Sequence, residues 1–241
     1  MRTVALLCLC IALGTPPALA ADLTPEQIIA ALRAPTSSTG NISDAVDEAT
    51  GGRGFMFHDM KPIYRTKIVG RAATALLRPV LRNDTRQYPN AMLQILDEAP
   101  AGSILVYVLE NGLEIAGMGN LMSTTAKVRG LEGAVIDGAV RDIEEITRIG
   151  FPIFARAISP ATSVGRYVSA AKQVPVTCAG VTVKPGDYIV GDWDGVVVVP
   201  QEAATRVVEL IQQYDDKERK VLEIINETKS MQKALERYNR Y

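Results

Sequence analysis

The residues with the clearest chemical potential are Arg141 and Asp142, which close the segment Val135-Ile136-Asp137-Gly138-Ala139-Val140-Arg141-Asp142. The apolar run reads as a buried strand that ends in a tight glycine turn. The Arg-Asp pair then opens a helix at the carboxyl end of that strand, where open α/β sheets place their ligands. A guanidinium is a planar fork matched to a carboxylate, and an aspartate is a hard oxygen ligand. Together they could hold a 2-oxo acid, with Arg141 on the carboxylate and a metal on Asp142 reaching the 2-oxo oxygen. The segment has a structural alternative: Asp142 with Glu145 three residues on resembles a capping box, and an aspartate suits a helix dipole in any case.

Two further features bear on the same chemistry. Gly117-Met118-Gly119-Asn120-Leu121-Met122-Ser123 places glycines before a helix, where free backbone N–H groups form an anion site. If its strand neighbours that of Arg141, a carboxylate bound there would face the guanidinium; glycine turns before helices are, however, common. Near the C-terminus, Val207, Ile211, Tyr214, Val221 and Ile225 repeat at helical spacing, and Glu218 falls on the same apolar stripe. A carboxylate on such a seam needs a partner. Either the helix carries Glu218 across to another subunit's site, or Glu218 pairs locally with Lys217, Arg219 or Lys220.

Composition narrows what these residues can do. There is one histidine, His58, so His-rich metal clusters are excluded. Cys8 and Cys10 lie inside an apolar run from Val4 to Leu13 that follows Arg2 and precedes Ala18-Leu19-Ala20. That pattern is a cleavable secretory leader over residues 1–20 rather than a membrane-spanning helix, and it implies an exported, periplasmic protein. Residues 21–241 then form one domain with Cys178 as their single thiol, unable to make an intrachain disulfide or a thiolate zinc site. Any metal is therefore a hard cation on oxygen, magnesium or manganese. A net charge of −1 gives no nucleic-acid footprint, and no second long apolar run marks a membrane anchor.

The elements that must position these residues alternate between strand and helix. Helices are expected over Thr24–Leu32, Ile42–Ala49, Asn90–Asp97, Gly119–Val128 and Asp142–Ile149, with a mostly helical end from Gln201 to Tyr241. Strands are expected over Ile68–Leu77, Ser103–Val108, Ala134–Asp137, Phe154–Ala157, Val174–Val176, Val181–Val183, Asp187–Gly191 and Gly195–Val199. Gly51, Gly52 and Gly54 mark a mobile loop before Phe55.

In this order the motifs resemble the RraA-like family. The likeness rests on Gly70, Gly119-Asn120-Leu121, Ala126-Lys127-Val128-Arg129-Gly130, Asp137 to Asp142, Gly150-Phe151-Pro152-Ile153-Phe154-Ala155-Arg156, Pro185-Gly186-Asp187 and Asp192-Trp193-Asp194-Gly195 running on to Pro200, and it extends from about Ile42 to Glu218. The family includes 4-hydroxy-4-methyl-2-oxoglutarate aldolases, which also decarboxylate oxaloacetate. The resemblance implies a single-domain α/β sandwich of the swivelling β/β/α type with a long C-terminal helix, assembled as a homotrimer or hexamer with sites between subunits. It further implies that Gly119, Asn120, Leu121 and Met122 bind a pyruvate unit through backbone amides, that Arg141 grips the substrate, that Asp142 holds the metal, and that Glu218 of the partner subunit serves as acid or base. The family usually carries an acid where this chain has Asn120, which can orient water but cannot take up a proton at neutral pH. That departure leaves a second expectation, a non-catalytic oxo-acid- or protein-binding member. Regulation of ribonuclease E, a role of some relatives, conflicts with the leader, and no glycine-rich strand–turn–helix suits a methyl-donor nucleoside.

Overall fold

The computed structural model describes residues 22–80 and 86–237, so the expected leader over residues 1–20 lies outside the described residues. In chain order there are helices α1 (Pro25–Arg33) and α2 (Thr39–Thr50), strands β1 (Lys61–Pro62) and β2 (Ile68–Pro79), helix α3 (Ala91–Glu98), strands β3 (Ile104–Leu109) and β4 (Ala116–Met118), helix α4 (Asn120–Val128), strand β5 (Gly133–Val140) and helix α5 (Ile143–Ile149). There follow strands β6 (Ile153–Ile158), β7 (Tyr167–Lys172), β8 (Val176–Cys178), β9 (Val181–Val183), β10 (Tyr188–Gly191) and β11 (Val196–Val199), a 3-10 turn (Gln201–Ala203), the long helix α6 (Ala204–Thr228) and α7 (Met231–Arg237).

The main sheet runs β1-β6-β5-β3-β2-β10-β11, with β4 added on β5 and β7 on β2, and β8 and β9 form a separate hairpin. Strands β6, β5, β3 and β2 are parallel, whereas β10 and β11 are antiparallel. The long strand β2 serves both halves: Ile68–Arg71 pair with β10 and Ala72–Leu77 with β3. The sheet therefore turns through β2, and the side-chain alternation of a strand divides the core into layers. Between the two β halves lie Ile68, Val106, Val135, Phe154, Cys178, Val183, Ile189 and Val198. On the outer face of the parallel half, Tyr107, Ile136, Val140 and Phe151 pack with Ile95 of α3, Ala126 of α4 and Ile146 of α5. On the outer face of the antiparallel half, Val190 and Val199 pack with Leu32, Ile42, Val207 and Ile211 of α1, α2 and α6. This is the expected sandwich of two β layers clothed by helices, with its long C-terminal helix; no described helix is long and apolar enough to cross a membrane.

Local chemistry explains most of the boundaries. Thr24 and Gln27 form a reciprocal capping box at α1. Ser38 accepts from Asn41 N–H and starts α2 at Thr39, ahead of the expected Ile42. Strand β7 was not foreseen, because Tyr167-Val-Ser-Ala-Ala-Lys is poor in β-branched residues; pairing with Ala75–Pro79 of β2 secures it. The strand expected at Val174–Val176 instead begins at Val176, as half of the β8-β9 hairpin. The stretch after Gly54 is also pinned rather than loose, since Gly54 O accepts from Val198 N–H and Met56 N–H donates to Val196 O, both at 2.9 Å.

One polar knot ties the layers together. The Arg156 guanidinium donates to both Asp59 oxygens at 2.8–3.0 Å and to Asp137 Oδ1 at 2.9 Å, while Asp137 Oδ2 accepts from Ala179 N–H at 2.7 Å. Hydrogen bonding to Arg156 holds the Asp59 carboxyl below its ordinary range. A depressed folded-state pKa contributes stability above the unfolded value, and that contribution is lost as pH falls through the folded value. Arg156→Met strands Asp137, whose side chain is 15% exposed, and is expected to cost about 3 kcal/mol at neutral pH. Urea denaturation reads this, and the variant should lose less stability than the parent on acidification below about pH 4.

Candidate active site

The two glycine-bounded features of the sequence meet at the carboxyl ends of neighbouring strands. β4 pairs in parallel with β5, Met118 lying beside Val140, and Arg141 N–H donates to Met118 O at 3.2 Å. Helix α4 thus starts next to Arg141 and Asp142. Gly119 shows how close the approach is: a Cβ built there would lie 2.7 Å from Asp142 Oδ2 and 3.1 Å from Arg141 Nε. Any larger residue would push the pair away, so Gly119→Ala is expected to lower any turnover that depends on Arg141 and Asp142 about a hundredfold by displacing them while leaving the thermal midpoint nearly unchanged. Steady-state kinetics alongside a melting curve separate the two effects.

Asp142 has a conformation that a plain helix cap does not need. It sits at φ 59°, ψ 41° in the left-handed region and makes no side-chain bond to its own helix α5. A non-glycine residue held there costs about 1 kcal/mol or more. Its Oδ2 instead accepts from Asn120 N–H at 2.9 Å. Asp142 therefore supplies, from the end of the neighbouring strand β5, the cap that Gly119, with no side chain, cannot give α4. The capping-box alternative with Glu145 is not what the chain forms. Arg141 Nε stands 3.7 Å from Asp142 Oδ2, and the two side chains are 42% and 39% exposed.

Around this pair the first turn of α4 supplies the remaining polar groups. The N–H groups of Leu121 and Met122 precede the first helical acceptors and lie at the positive end of the helix dipole. Ser123 N–H and Oγ both bond back to Gly119 O. Asn120 Oδ1 accepts from Thr124 Oγ1 at 3.3 Å. Leu121 is 82% exposed and borders the pair on an open surface. Guanidinium, carboxylate and the start of α4 thus stand together at Gly119, a set of groups suited to a bound carboxylate with an adjacent polarised oxygen.

Glu218 lies elsewhere in the single chain. On α6 its Oε2 accepts from Asn41 Nδ2 at 2.9 Å, and the same amide donates to Asp215 Oδ1 at 3.1 Å. The local partners Lys217, Arg219 and Lys220 are not the ones that hold it through this bond; Arg219 pairs with Asp216. Within one chain the fold brings Gly119, Asn120, Leu121, Met122, Arg141 and Asp142 together, and places Glu218 on the α2–α6 face. The bond from Asn120 N–H to Asp142 had no signal in the sequence beyond a glycine where a capping residue would ordinarily stand. Cys178 takes no part: it is fully buried, and burial pushes its thiol well above the ordinary range.

The donor set can be tested against a metal. Among the described residues no three His, Cys, Asp or Glu side chains gather into a metal cluster. Magnesium, however, keeps much of its water and is often held by one or two carboxylates together with substrate oxygens. An exposed Asp142 with one oxygen engaged by Asn120 N–H suits that open mode, and a closed cage is not required.

Comparison with known proteins bears on the chain's family and fold. Residues 39–198 match the family model described as RraA-like, Aldolase/RraA. An uncharacterized protein of Methanocaldococcus jannaschii is 43% identical over 117 residues, covering 48% of this chain and 55% of that protein, so the match spans about half of that relative's length. A protein of Halalkalibacterium halodurans, provisionally named a 4-hydroxy-4-methyl-2-oxoglutarate aldolase, is 35% identical over 191 residues, covering 76% of this chain and 83% of that one. Among solved structures, an uncharacterized protein of Pseudomonas syringae pv. tomato superposes with a TM-score of 0.75 at 29% identity, covering 88% and 99% of the two chains. RraAS2 of Streptomyces coelicolor, described as an unusual member of the RNase ES inhibitor RraA protein family, gives 0.71 at 26% identity, covering 83% and 98%.

Proposed function

This chain belongs to the RraA-like family, and from that premise we propose that it is a divalent-metal-dependent lyase that cleaves a carbon–carbon bond of a short 2-oxo acid and releases pyruvate, in the manner of a 4-hydroxy-4-methyl-2-oxoglutarate aldolase or an oxaloacetate decarboxylase. The observation that supports this reading is the packing of Arg141 and Asp142 against Gly119 at the start of α4, where Asp142 accepts from Asn120 N–H. The amides of Leu121 and Met122 and the Arg141 guanidinium bind the substrate's C1 carboxylate. With oxaloacetate the C3–C4 bond breaks, carbon dioxide leaves, and the electron pair moves toward the 2-oxo oxygen. Arg141 stabilises the negative charge that builds there. C3 then takes a proton and pyruvate is released. Magnesium or manganese held by Asp142 would supply Lewis-acid polarisation of the 2-oxo group.

The pair stands on an open surface in one chain, so the proposal includes a second wall. We assign it to another copy in a homotrimer or hexamer, with Glu218 of the partner subunit relaying the proton through water. The proposal also takes residues 1–20 as a leader and so an exported, periplasmic setting, with a small 2-oxo acid as the ligand acted on. Purified protein with magnesium should release pyruvate from oxaloacetate; rates equal to those of magnesium alone would refute the assignment.

Asn120 supports a second reading, a binding member of the family without chemistry. Asn120→Asp puts at the start of α4 the carboxylate that the family usually carries, a group that can hold water and move a proton. Under the lyase reading the natural chain already turns over, and this change raises kcat about tenfold. Under the binding reading the natural chain is inert and only the variant acts. A coupled pyruvate assay on both proteins separates the two.

A further inference from the structure

A second cleft, sharing no residue with the Arg141 region, lies where the chain leaves α2. Residues 54–56 run antiparallel to β11, with Phe55 bridged to Val197. Strand alternation then decides which way each side chain points. Gly54 faces inward, where a Cβ would meet Val46 Cγ1 at 2.6 Å, and Met56 enters the core. Arg53, Phe55 and Phe57 consequently share the outward face. Phe55 and Phe57 are 44% and 41% exposed.

These two phenyl rings are not bare. The Arg53 guanidinium carbon lies 4.3 Å from the Phe55 ring centre and 5.2 Å from that of Phe57. Its Nε donates to Phe55 O at 2.8 Å, which fixes the side chain over the rings. Lys61 Nζ donates to Asp194 O at 2.6 Å. Neither Arg53 nor Lys61 has an ion-pair partner among the described residues. With His58 and Ser43 they line a cleft of about 510 Å³ in which Asp194 is the single acidic residue. Cations without ion-pair partners, held beside half-exposed phenyl rings that Arg53 already stacks on, suit a ligand that is both anionic and planar.

We propose that this cleft is a second ligand site and that it takes an aromatic carboxylate. The carboxylate meets Arg53 and Lys61, and the ring packs against Phe55 and Phe57. Arg53 is the specificity-determining side chain, because it touches both rings and carries the charge. The lyase reading is not needed for this site.

The protein carries its own reporter, since its single tryptophan, Trp193, precedes Asp194 and is 57% exposed. Benzoate titrated into the full-length protein, followed by Trp193 emission and by calorimetry, is expected to bind saturably. Arg53→Met should weaken it about tenfold by removing a charge-assisted contact. Cyclohexanecarboxylate, anionic but not aromatic, should bind about fivefold more weakly than benzoate. Asp142→Asn should leave benzoate binding unchanged. The proposal is overturned if no saturation is seen, as when another copy of the chain covers the cleft. Equal binding by Arg53→Met, equal binding of the saturated acid, or loss of binding in Asp142→Asn would overturn it as well.

Discussion

Replacing Arg141 by methionine is expected to lower kcat/KM for pyruvate release from oxaloacetate by about a thousandfold, the range seen when one preorganised donor to a developing oxyanion is removed. The effect is large because the proposed mechanism gives Arg141 two tasks, orienting the C1 carboxylate and stabilising the charge that builds on the 2-oxo oxygen. The fold should tolerate the change. Arg141 is 42% exposed and its nearest carboxylate, Asp142, stands 3.7 Å away, so no buried partner is stranded; its anchoring bond to Met118 is made by the backbone. Arg141→Lys should recover little, because a point charge does not reproduce the planar fork. Steady-state kinetics with an unchanged melting curve would establish the role, and activity within a fewfold of the parent would remove Arg141 from the mechanism.

Asp142→Asn should be as damaging for a different reason. The amide keeps the shape and an oxygen for Asn120 N–H but loses the negative charge that a hard cation requires. Turnover is expected to fall about a thousandfold and magnesium dependence to disappear with it. Asp142→Gly provides a separate control. Glycine relieves the left-handed strain at this position, so stability should change by no more than about 1 kcal/mol although activity is lost. A large drop in stability would instead mark Asp142 as principally a structural cap for α4.

Much of this site was legible in the sequence because strand ends and glycine turns are local signals. A buried run closing on Gly138 places Arg141 and Asp142 at a strand's carboxyl end, and the glycines before Asn120 place a helix start. That the two meet depends on β4 pairing with β5, and a three-residue strand, Ala116–Met118, leaves no periodicity to read. The left-handed Asp142 was likewise hidden, since Asp142 and Glu145 spell a capping box, whereas helix α5 starts at Asp142 without a side-chain cap. Strand β7 escaped because its pairing with β2 is long-range and its own residues are weak strand formers. Glu218 was placed correctly on the apolar stripe of α6, but its partner, Asn41, lies 177 positions away. The outward Arg53-Phe55-Phe57 face was concealed by glycines that suggested looseness, whereas Gly54 is small in order to pack against Val46.

The most direct measurement is the binding of Mn²⁺, with and without oxalate, to the parent chain and to Arg141→Met and Asp142→Asn. Oxalate has the planar shape and the paired oxygens of the pyruvate enolate. If one cleft grips ion and oxo acid together, each must tighten the other equally. Oxalate should strengthen Mn²⁺ binding about tenfold or more in the parent; Arg141→Met should abolish that coupling, and Asp142→Asn should abolish Mn²⁺ binding itself. Oxalate and Mn²⁺ binding independently, or Mn²⁺ binding untouched by Asp142→Asn, would contradict a shared site at the end of β5.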